Sequence, residues 1–365
     1  MERLNNNNNI LFSVKCGNVT EYHISSVLGA EENIKKATLD IVKLLDENKI
    51  KPLVGFAFGN TEQYKIVTGT FSEKGKIFPV TWTESFDNKN EKTDGIYIIG
   101  ISGVNVNPVT DNEKIIGNYY EDEYATYAYL GDITSGTPDL ADDLQSQLVF
   151  NKLESYLGIC DLKMTDLVRT WFYNRDILAW YGDFNKVRTA FYKEHKIFEN
   201  LLPSSTGIDG KNPGNGALIA GAIAIRPKNN NIVIKEVDSP LQNQATCYGS
   251  SFSRAVEIKT PEIHKVTVSG TASIDKEGKT VYIDDFDKQV VQTFNTVKEI
   301  LKQCGMDFKD VCRAFAYVKF DKDLSAFYKY LKDNDLEEVP FITTNTTICR
   351  HDLLFEIEVD AVKKL

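Results

Sequence analysis

The sequence predicts an α+β protein with a duplicated module, each copy a mixed β-sheet covered on one face by two helices. Gln145, Phe150, Asn151, Leu157, Asp166, Arg169 and Tyr173 recur as Gln289, Phe294, Asn295, Leu301, Asp310, Arg313 and Tyr317, at a constant offset of 144 residues. Within each copy the apolar residues switch between helical spacing and two-residue alternation. Beyond a longer loop in the first copy, Phe191 and Tyr192 fall opposite Phe327 and Tyr328, and Leu218-Ile219-Ala220 opposite Leu354-Phe355-Glu356. The second copy thereby has a carboxylate where the first has Ala220.

Residues 1–135 read as a strand-rich N-terminal region, with apolar stretches at 10–14, 53–58, 77–82, 95–101 and 124–130. One helix is predicted at about 30–48, and Glu73-Lys74-Gly75 and Asp94-Gly95 supply turn chemistry. The asparagine run at 5–9 reads as a disordered start, and the shorter one at 229–231 as a loop. In the first module, 136–240, a helix over 140–157 is stopped by Gly158, then come a strand 166–173, a helix 184–197 and a strand 217–225. The second module, 241–365, repeats this with a strand 266–273, a helix 288–304 ending at Gly305, a strand 311–320, a helix 324–331 and a final strand 353–362.

A chain of 365 residues with 42% hydrophobic content has room for two or three well-cored domains. Its formal charge of −10, without a basic stripe, argues against a nucleic-acid partner. No apolar run approaches a membrane span, and the opening residues lack the apolar core of a signal peptide, so a cytoplasmic location with no membrane partner is expected. The six cysteines are scattered without CxxC spacing, as suits a reducing compartment. His23, His195, His264 and His351 form no ligand-spaced cluster, and no metal is expected.

Strand alternation assigns the faces. On the last strand Phe355, Ile357, Val359 and Ala361 share the parity that suits packing under helices, and Arg350, Asp352, Leu354, Glu356 and Glu358 share the other. Arg313, Phe315 and Tyr317 likewise oppose the small Cys312, Ala314 and Ala316, as Arg169, Trp171 and Tyr173 do in the first copy. A face of arginine, glutamate and large aromatics predicts the wall of a cleft between modules. Guanidinium forks grip carboxylates, so Arg169, Arg188, Arg313 and Arg350 point to an anionic, ring-containing small molecule, or else to salt bridges between modules. Glu356 lies among Leu354, Phe355 and Ile357, where desolvation favours a neutral general acid; the alternative is a buried partner of an arginine. Cys349 is either a tuned thiol or inert filler. The segment Leu202 to Ile208, followed by Gly210, Pro213, Gly214 and Gly216, reads as a loop whose amides and hydroxyls suit an anion, and it lacks the Walker spacing.

Residues 264–362 resemble a YjgF/RidA-like module, especially in Val268-Ser269-Gly270-Thr271-Ala272, the helix with Asn295, the Gly305 turn, and Arg350 through Glu356-Ile357-Glu358. More specifically, the chain resembles the chorismatase family. The resemblance lies in Arg169-Thr170-Trp171 through Tyr173, then Tyr181, Phe184 and Arg188, then Pro203-Ser204-Ser205-Thr206-Gly207-Ile208, then Phe252-Ser253-Arg254-Ala255, and Cys349-Arg350 with Glu356. It spans most of the last 200 residues and only loosely the first 130.

The resemblance implies YjgF/RidA-like (chorismate mutase-like) modules and hydrolysis of chorismate, without metal or organic cofactor. The products would be pyruvate and either a dihydroxycyclohexadiene carboxylate or a hydroxybenzoate. It implies Glu356 as the catalytic acid, with Arg169, Tyr173, Tyr181, Arg188, Arg313, Arg350 and the Ser205-Thr206-Gly207 segment binding substrate. Members making 3-hydroxybenzoate are similar in placing a cysteine seven residues before that acid, as Cys349 stands here. Two alternatives remain: a RidA-type enamine/imine deaminase, although Thr343-Thr344 stand where those enzymes look to an arginine, and a non-catalytic small-molecule-binding protein. Such modules commonly trimerise, so the expected assembly is a monomer or a homotrimer.

Overall fold

The computed structural model describes residues 1–6, 8–28, 33–84 and 93–365 and contains three six-stranded sheets of one design. The first holds β1 (Glu2–Asn6), β2 (Asn9–Cys16), β3 (Val19–Val27), β4 (Lys51–Gly59), β5 (Val80–Thr83) and β6 (Thr93–Ser102), with helices α1 (Ile34–Glu47) and α2 (Tyr64–Glu73). The second holds β7 (Asn107–Asp111), β8 (Lys114–Glu121), β9 (Ala125–Thr134), β10 (Leu167–Asn174), β11 (Ser204–Asp209) and β12 (Leu218–Pro227), with α3 (Asp142–Ile159) and α4 (Ile177–Glu194). The third holds β13 (Val233–Val237), β14 (Ala255–Lys259), β15 (Ile263–Ala272), β16 (Val311–Val318), β17 (Phe341–Asn345) and β18 (Phe355–Lys364), with α5 (Phe286–Gln303) and α6 (Leu324–Asp333). Strand order is the same in each: first, second, third, sixth, fourth, fifth. Only the fourth and fifth strands pair in parallel.

The duplication read from sequence is therefore a triplication in structure. The sheets divide the chain at 103–106 and 228–232, whereas the sequence suggested 135 and 240. Residues 107–134, expected in the N-terminal region, are the first three strands of the second sheet. The first module escaped notice because α2 buries only Val67, Thr70 and Phe71 and carries Gly69 mid-helix, which leaves little periodic signal. Within the asparagine run, Asn5 and Asn6, expected in a disordered start, belong to β1 and pair with Ile10 and Asn9 of β2, and position 7 lies outside the described residues. Residues 204–209, read as a loop, form β11, paired in parallel with β10 from Arg169↔Ser204 to Asn174↔Asp209. Helix α4 begins seven residues before the predicted start, behind Asp176 at φ 52°, and buries Ile177, Trp180 and Phe184.

Equivalent glutamines fix the internal register. Gln145 Oε1 accepts from the amide of Ala217 at 2.9 Å, and Gln289 Oε1 from the amide of Leu354 at 2.8 Å. Ala217 thus corresponds to Leu354, and the position of Glu356 is occupied in the second module by Ile219; Ala220, expected there, packs under the helices.

Helices cover the outer faces, and the three inner faces close on one another around a shared axis. Phe56, Trp171 and Phe315 meet there, with Phe56 4.7 Å from Trp171 and 6.1 Å from Phe315 between ring centroids. Below them Phe58 lies 6.0 Å from Tyr173 and 6.1 Å from Tyr317. These rings occupy matching strand positions and bury the large apolar area on which the assembly of the modules rests. Arg169, Arg313 and Glu358 sit in the same axis with no solvent exposure.

Candidate active site

A cavity of about 710 Å³ opens where the second module meets the third. Helix α4 supplies Tyr181 and Arg188, β11 supplies Ser205 and Gly207, and β15 supplies Gly270. The segment before β14 adds Tyr248, Phe252 and Arg254, and the approach to β18 adds Cys349, Arg350 and Glu356.

Glu356 faces this cavity at only 4% exposure. Burial, and then the charge of Glu358, push its carboxyl up to about 8 against the opposing pull of Arg169 and Arg350. It is a neutral acid at pH 7. Room for it is made by a β-bulge: the β15–β18 register shifts between Val268 and Thr271, and the amide of Gly270 donates to Thr206 Oγ1 at 3.1 Å. A Cβ on Gly270 would collide with Glu356 Oε1. Gly207 is needed for a like reason, since a Cβ there would reach the Tyr181 hydroxyl at 2.9 Å. Cys349 is held as a thiol, pushed up to about 12 by burial and then by Glu356.

Three arginines supply charge. Arg188, 1% exposed, donates through Nη2 to Asn185 Oδ1 at 2.6 Å, and its guanidinium carbon stands 5.3 Å from the Phe184 ring and 5.8 Å from the Phe252 ring. Its Nε has no partner among the described residues. Arg254, 2% exposed, donates from Nε and Nη2 to the carbonyl of Asn243 at 2.9 and 2.6 Å and stacks 5.4 Å from Tyr248. Arg350 donates to the carbonyl of Gly278 at 2.5 Å and lies 5.8 Å from the same ring. Carbonyls, an amide and aromatic faces orient these cations, and among the described residues none forms an ion pair with a carboxylate. Cations left uncompensated around a concave surface suit a ligand that carries the negative charge itself.

Of the residues read from sequence, the structure gathers Glu356, Cys349, Tyr181, Arg188, Ser205, Gly207 and Arg350 on this cavity. It does not bring Arg169, Arg313, Tyr173 or Thr206 there. Arg169 is ion-paired with Glu358, which also accepts from the Thr206 hydroxyl and from Trp171 Nε1, the latter at 2.9 Å. Arg313 reaches Glu358 and Asp360, both at 2.6 Å. These charges pair with one another inside the axis, and Tyr173, Trp171 and Phe315 are core rings there, where a cleft wall was expected. The physical reason is the N-terminal module, unrecognised as such in the sequence, whose Phe56 and Phe58 cap the face that the other two modules alone would leave open. The expected anion-cradling loop is tied up as well: the Ser205 amide donates to Ser269 Oγ, and the Ser205 hydroxyl accepts from Thr170.

Arg254, Tyr248, Phe252 and Gly270 were not among the candidate site residues. Arg254 and Phe252 stood in the motif Phe252-Ser253-Arg254-Ala255, and the signal was an arginine one residue ahead of a strand that no periodicity had marked. No helix is long and apolar enough to cross a membrane among the described residues.

Residues 245–363 match the family profile described as Endoribonuclease L-PSP. A RutC family protein of Sulfurisphaera tokodaii is 29% identical over 112 residues, covering 30% of this chain and 84% of that protein. The crystal structure of a chorismatase superposes with a TM-score of 0.64 at 20% identity, over 85% of this chain and 93% of that one. A putative endoribonuclease L-PSP from Entamoeba histolytica covers 36% of this chain and 100% of its own, at 20% identity and a TM-score of 0.31. The chain therefore shares the fold of a chorismatase and carries within it, at residues 245–363, an endoribonuclease L-PSP domain.

Proposed function

We propose that the protein cleaves the enolpyruvyl ether of chorismate, releasing pyruvate, with Glu356 as general acid. The observation that carries this reading is a carboxyl kept neutral at the floor of a cavity ringed by three arginines that lack carboxylate partners. Chorismate fits that chemistry: two carboxylates for Arg188, Arg254 and Arg350, and a flat ring for Tyr181, Tyr248 and Phe252. A doubly anionic substrate also repels the ionised form of the acid, which helps hold the proton until it is used.

The Glu356 proton passes to the methylene carbon of the vinyl ether, whose π electrons form the new C–H bond. The ether carbon becomes an oxocarbenium centre, and the new carboxylate at 356 stabilises it. In the hydrolytic branch water adds to that carbon and returns a proton to Glu356. The hemiketal then collapses, its C–O electrons passing to the ring oxygen, to give pyruvate and the ring diol. In the branch to 3-hydroxybenzoate, the oxygen of the neighbouring ring hydroxyl bonds to the ring carbon bearing the ether and its proton returns to the Glu356 carboxylate, while that C–O bond breaks with its electrons passing to the oxygen that becomes the pyruvate carbonyl. Pyruvate leaves, and the resulting arene oxide aromatises. The thiol of Cys349, close enough for Glu356 to perturb it, supports this second branch.

The deaminase alternative gains nothing from the geometry: Thr344, where an arginine would be sought, is buried and donates to Asp94 at 2.6 Å. A monomer is the assembly we favour, because the inner sheet faces are already covered within one chain. The test is pyruvate release from chorismate, followed by coupled reduction, in the wild type and in Glu356→Gln. Equal background rates would end the proposal.

A further inference from the structure

Outside the cavity lies a group of side chains, distant from one another in sequence, that the reaction does not use. Glu257 on β14 and His264 on β15 stand diagonally on the helix-covered face of the third sheet, and Cys304 closes the C-terminus of α5 above them. One donor atom from each, a carboxylate oxygen, an imidazole nitrogen and a sulfur, lies within 4.8 Å of the other two. Glu257 is 8% and His264 6% exposed, on a face otherwise lined by Val237, Val266 and Met306.

We propose that Glu257, His264 and Cys304 form a binding site for a divalent transition-metal ion of the zinc type, with water as the fourth ligand. The donor set has one nitrogen, one sulfur and one oxygen, the mixture that borderline-soft ions accept in tetrahedral geometry. Lys235 lies across from Glu257 in the sheet, and Lys259 and Lys363 flank His264 on either side. At present His264 Nε2 is hydrogen-bonded to Glu257 Oε2 at 2.7 Å. An ion taking the place of that proton needs the two atoms to part to about 3.3 Å, given metal bonds of about 2.0–2.1 Å. The displaced proton moves to Nδ1, and the thiol proton of Cys304 goes to solvent.

Lys235 Nζ also contacts Glu257 Oε1 at 2.8 Å, but its side chain is 65% exposed and free to turn outward once an ion neutralises the carboxylate. The three lysines repel any cation held by charge alone. They therefore bias the site against magnesium and calcium and toward an ion bound through sulfur and nitrogen. The carbonyl end of α5 offsets part of this repulsion. A bound ion would fasten that helix end to β14 and β15.

The full chain, freed of metal with a chelator, is titrated with cobalt(II), which reports thiolate ligation by a near-ultraviolet charge-transfer band and tetrahedral geometry by visible bands. The expected result is one cobalt per chain, displaced by zinc(II). Cys304→Ser should abolish the charge-transfer band, and His264→Gln should weaken binding at least tenfold. Cys247→Ser, which removes an exposed thiol elsewhere, should change nothing. Absence of the band at millimolar cobalt overturns the proposal, and so does a band that survives Cys304→Ser. Because Cys304→Ser is nearly isosteric at a partly buried helix end, loss of the band with an unchanged melting profile separates ligation from misfolding.

Discussion

Glu356→Gln separates catalysis from stability, and the structure gives a magnitude for each. With its carboxyl raised from 4.5 to about 8, the folded chain keeps a proton that the unfolded chain releases. The resulting penalty is absent below about pH 4.5, grows through neutrality and levels off above about 8. At pH 7 the gap spans about 2.5 pH units, or about 3 kcal/mol at ~1.4 kcal/mol per unit. Glutamine does not ionise and escapes that penalty, although its buried N–H groups forfeit part of the gain. The variant should be more stable than the wild type by about 1–3 kcal/mol at pH 7, and by nothing at pH 4. Activity moves the other way. With its carboxyl raised to about 8, the wild type keeps the acid largely protonated at pH 7, where an ordinary glutamate is almost fully ionised. Losing the acid should lower kcat by about 10²–10⁴. The assays are denaturant melts at the two pH values and coupled pyruvate release across pH 5–10, where the wild-type rate should fall once pH exceeds about 8. A variant with wild-type turnover refutes the catalytic role. A stability gain that is the same at pH 4 and pH 7 refutes the raised carboxyl.

Five further substitutions probe the rest of the site and the axis behind it. Arg188→Met and Arg254→Met each remove a guanidinium with no carboxylate partner, and should raise KM for chorismate about tenfold or more with a smaller change in kcat; unchanged KM would exclude these residues from substrate binding. Gly270→Ala forces a methyl group against Glu356 and should lower kcat about tenfold to a hundredfold at nearly constant KM, checked by steady-state kinetics. Cys349→Ala should turn the product mixture away from 3-hydroxybenzoate; chromatography showing an unchanged ratio removes the thiol from the mechanism. Arg313→Met strands Asp360 in the axis and leaves Glu358 with Arg169 alone as its cation, and should destabilise the fold by about 3–5 kcal/mol in thermal or denaturant melts, although it leaves the cavity lining intact.

Much of the third module and its acid was legible because its signals are local. Phe355, Ile357, Val359 and Ala361 alternate cleanly, and all pack under α5 and α6. Glu356 stood out as a carboxylate in an apolar strand, which is the circumstance that raises its proton affinity. The arginines were harder. Arg169 and Arg313 share the strand parity of a cleft wall, and no local pattern says whether such a face meets solvent, a ligand or another sheet. The answer came from Val54, Phe56 and Phe58 in a module whose helix α2 has little amphipathic signal. The one-residue error that set Ala220 opposite Glu356 has a similar origin. Loops of different length separate the copies there, and the register is defined in space by the Gln145 and Gln289 hydrogen bonds and by the pairing of Tyr173 with Ile219 and of Tyr317 with Glu356.

The same triplication shows why the position of Glu356 holds a carboxylate in one module and in neither of the others. Phe58, Tyr173 and Tyr317 pair across to Gly95, Ile219 and Glu356, so these three positions are equivalent around the axis. At Gly95 a Cβ would meet Ile342 at 2.7 Å and the carbonyl of Ser26 at 2.9 Å, so no carboxylate fits there. Ile219 is given over to the axial core. At the bulge the amide of Asp132 donates to Thr81 at 2.9 Å as that of Gly270 donates to Thr206, yet only Gly270 leaves space for an acid opposite. Three identical subunits would bear the cost of a buried neutral acid at every junction. Joined in one chain, the modules place a carboxylate at one of the three equivalent positions and bear about 3 kcal/mol once.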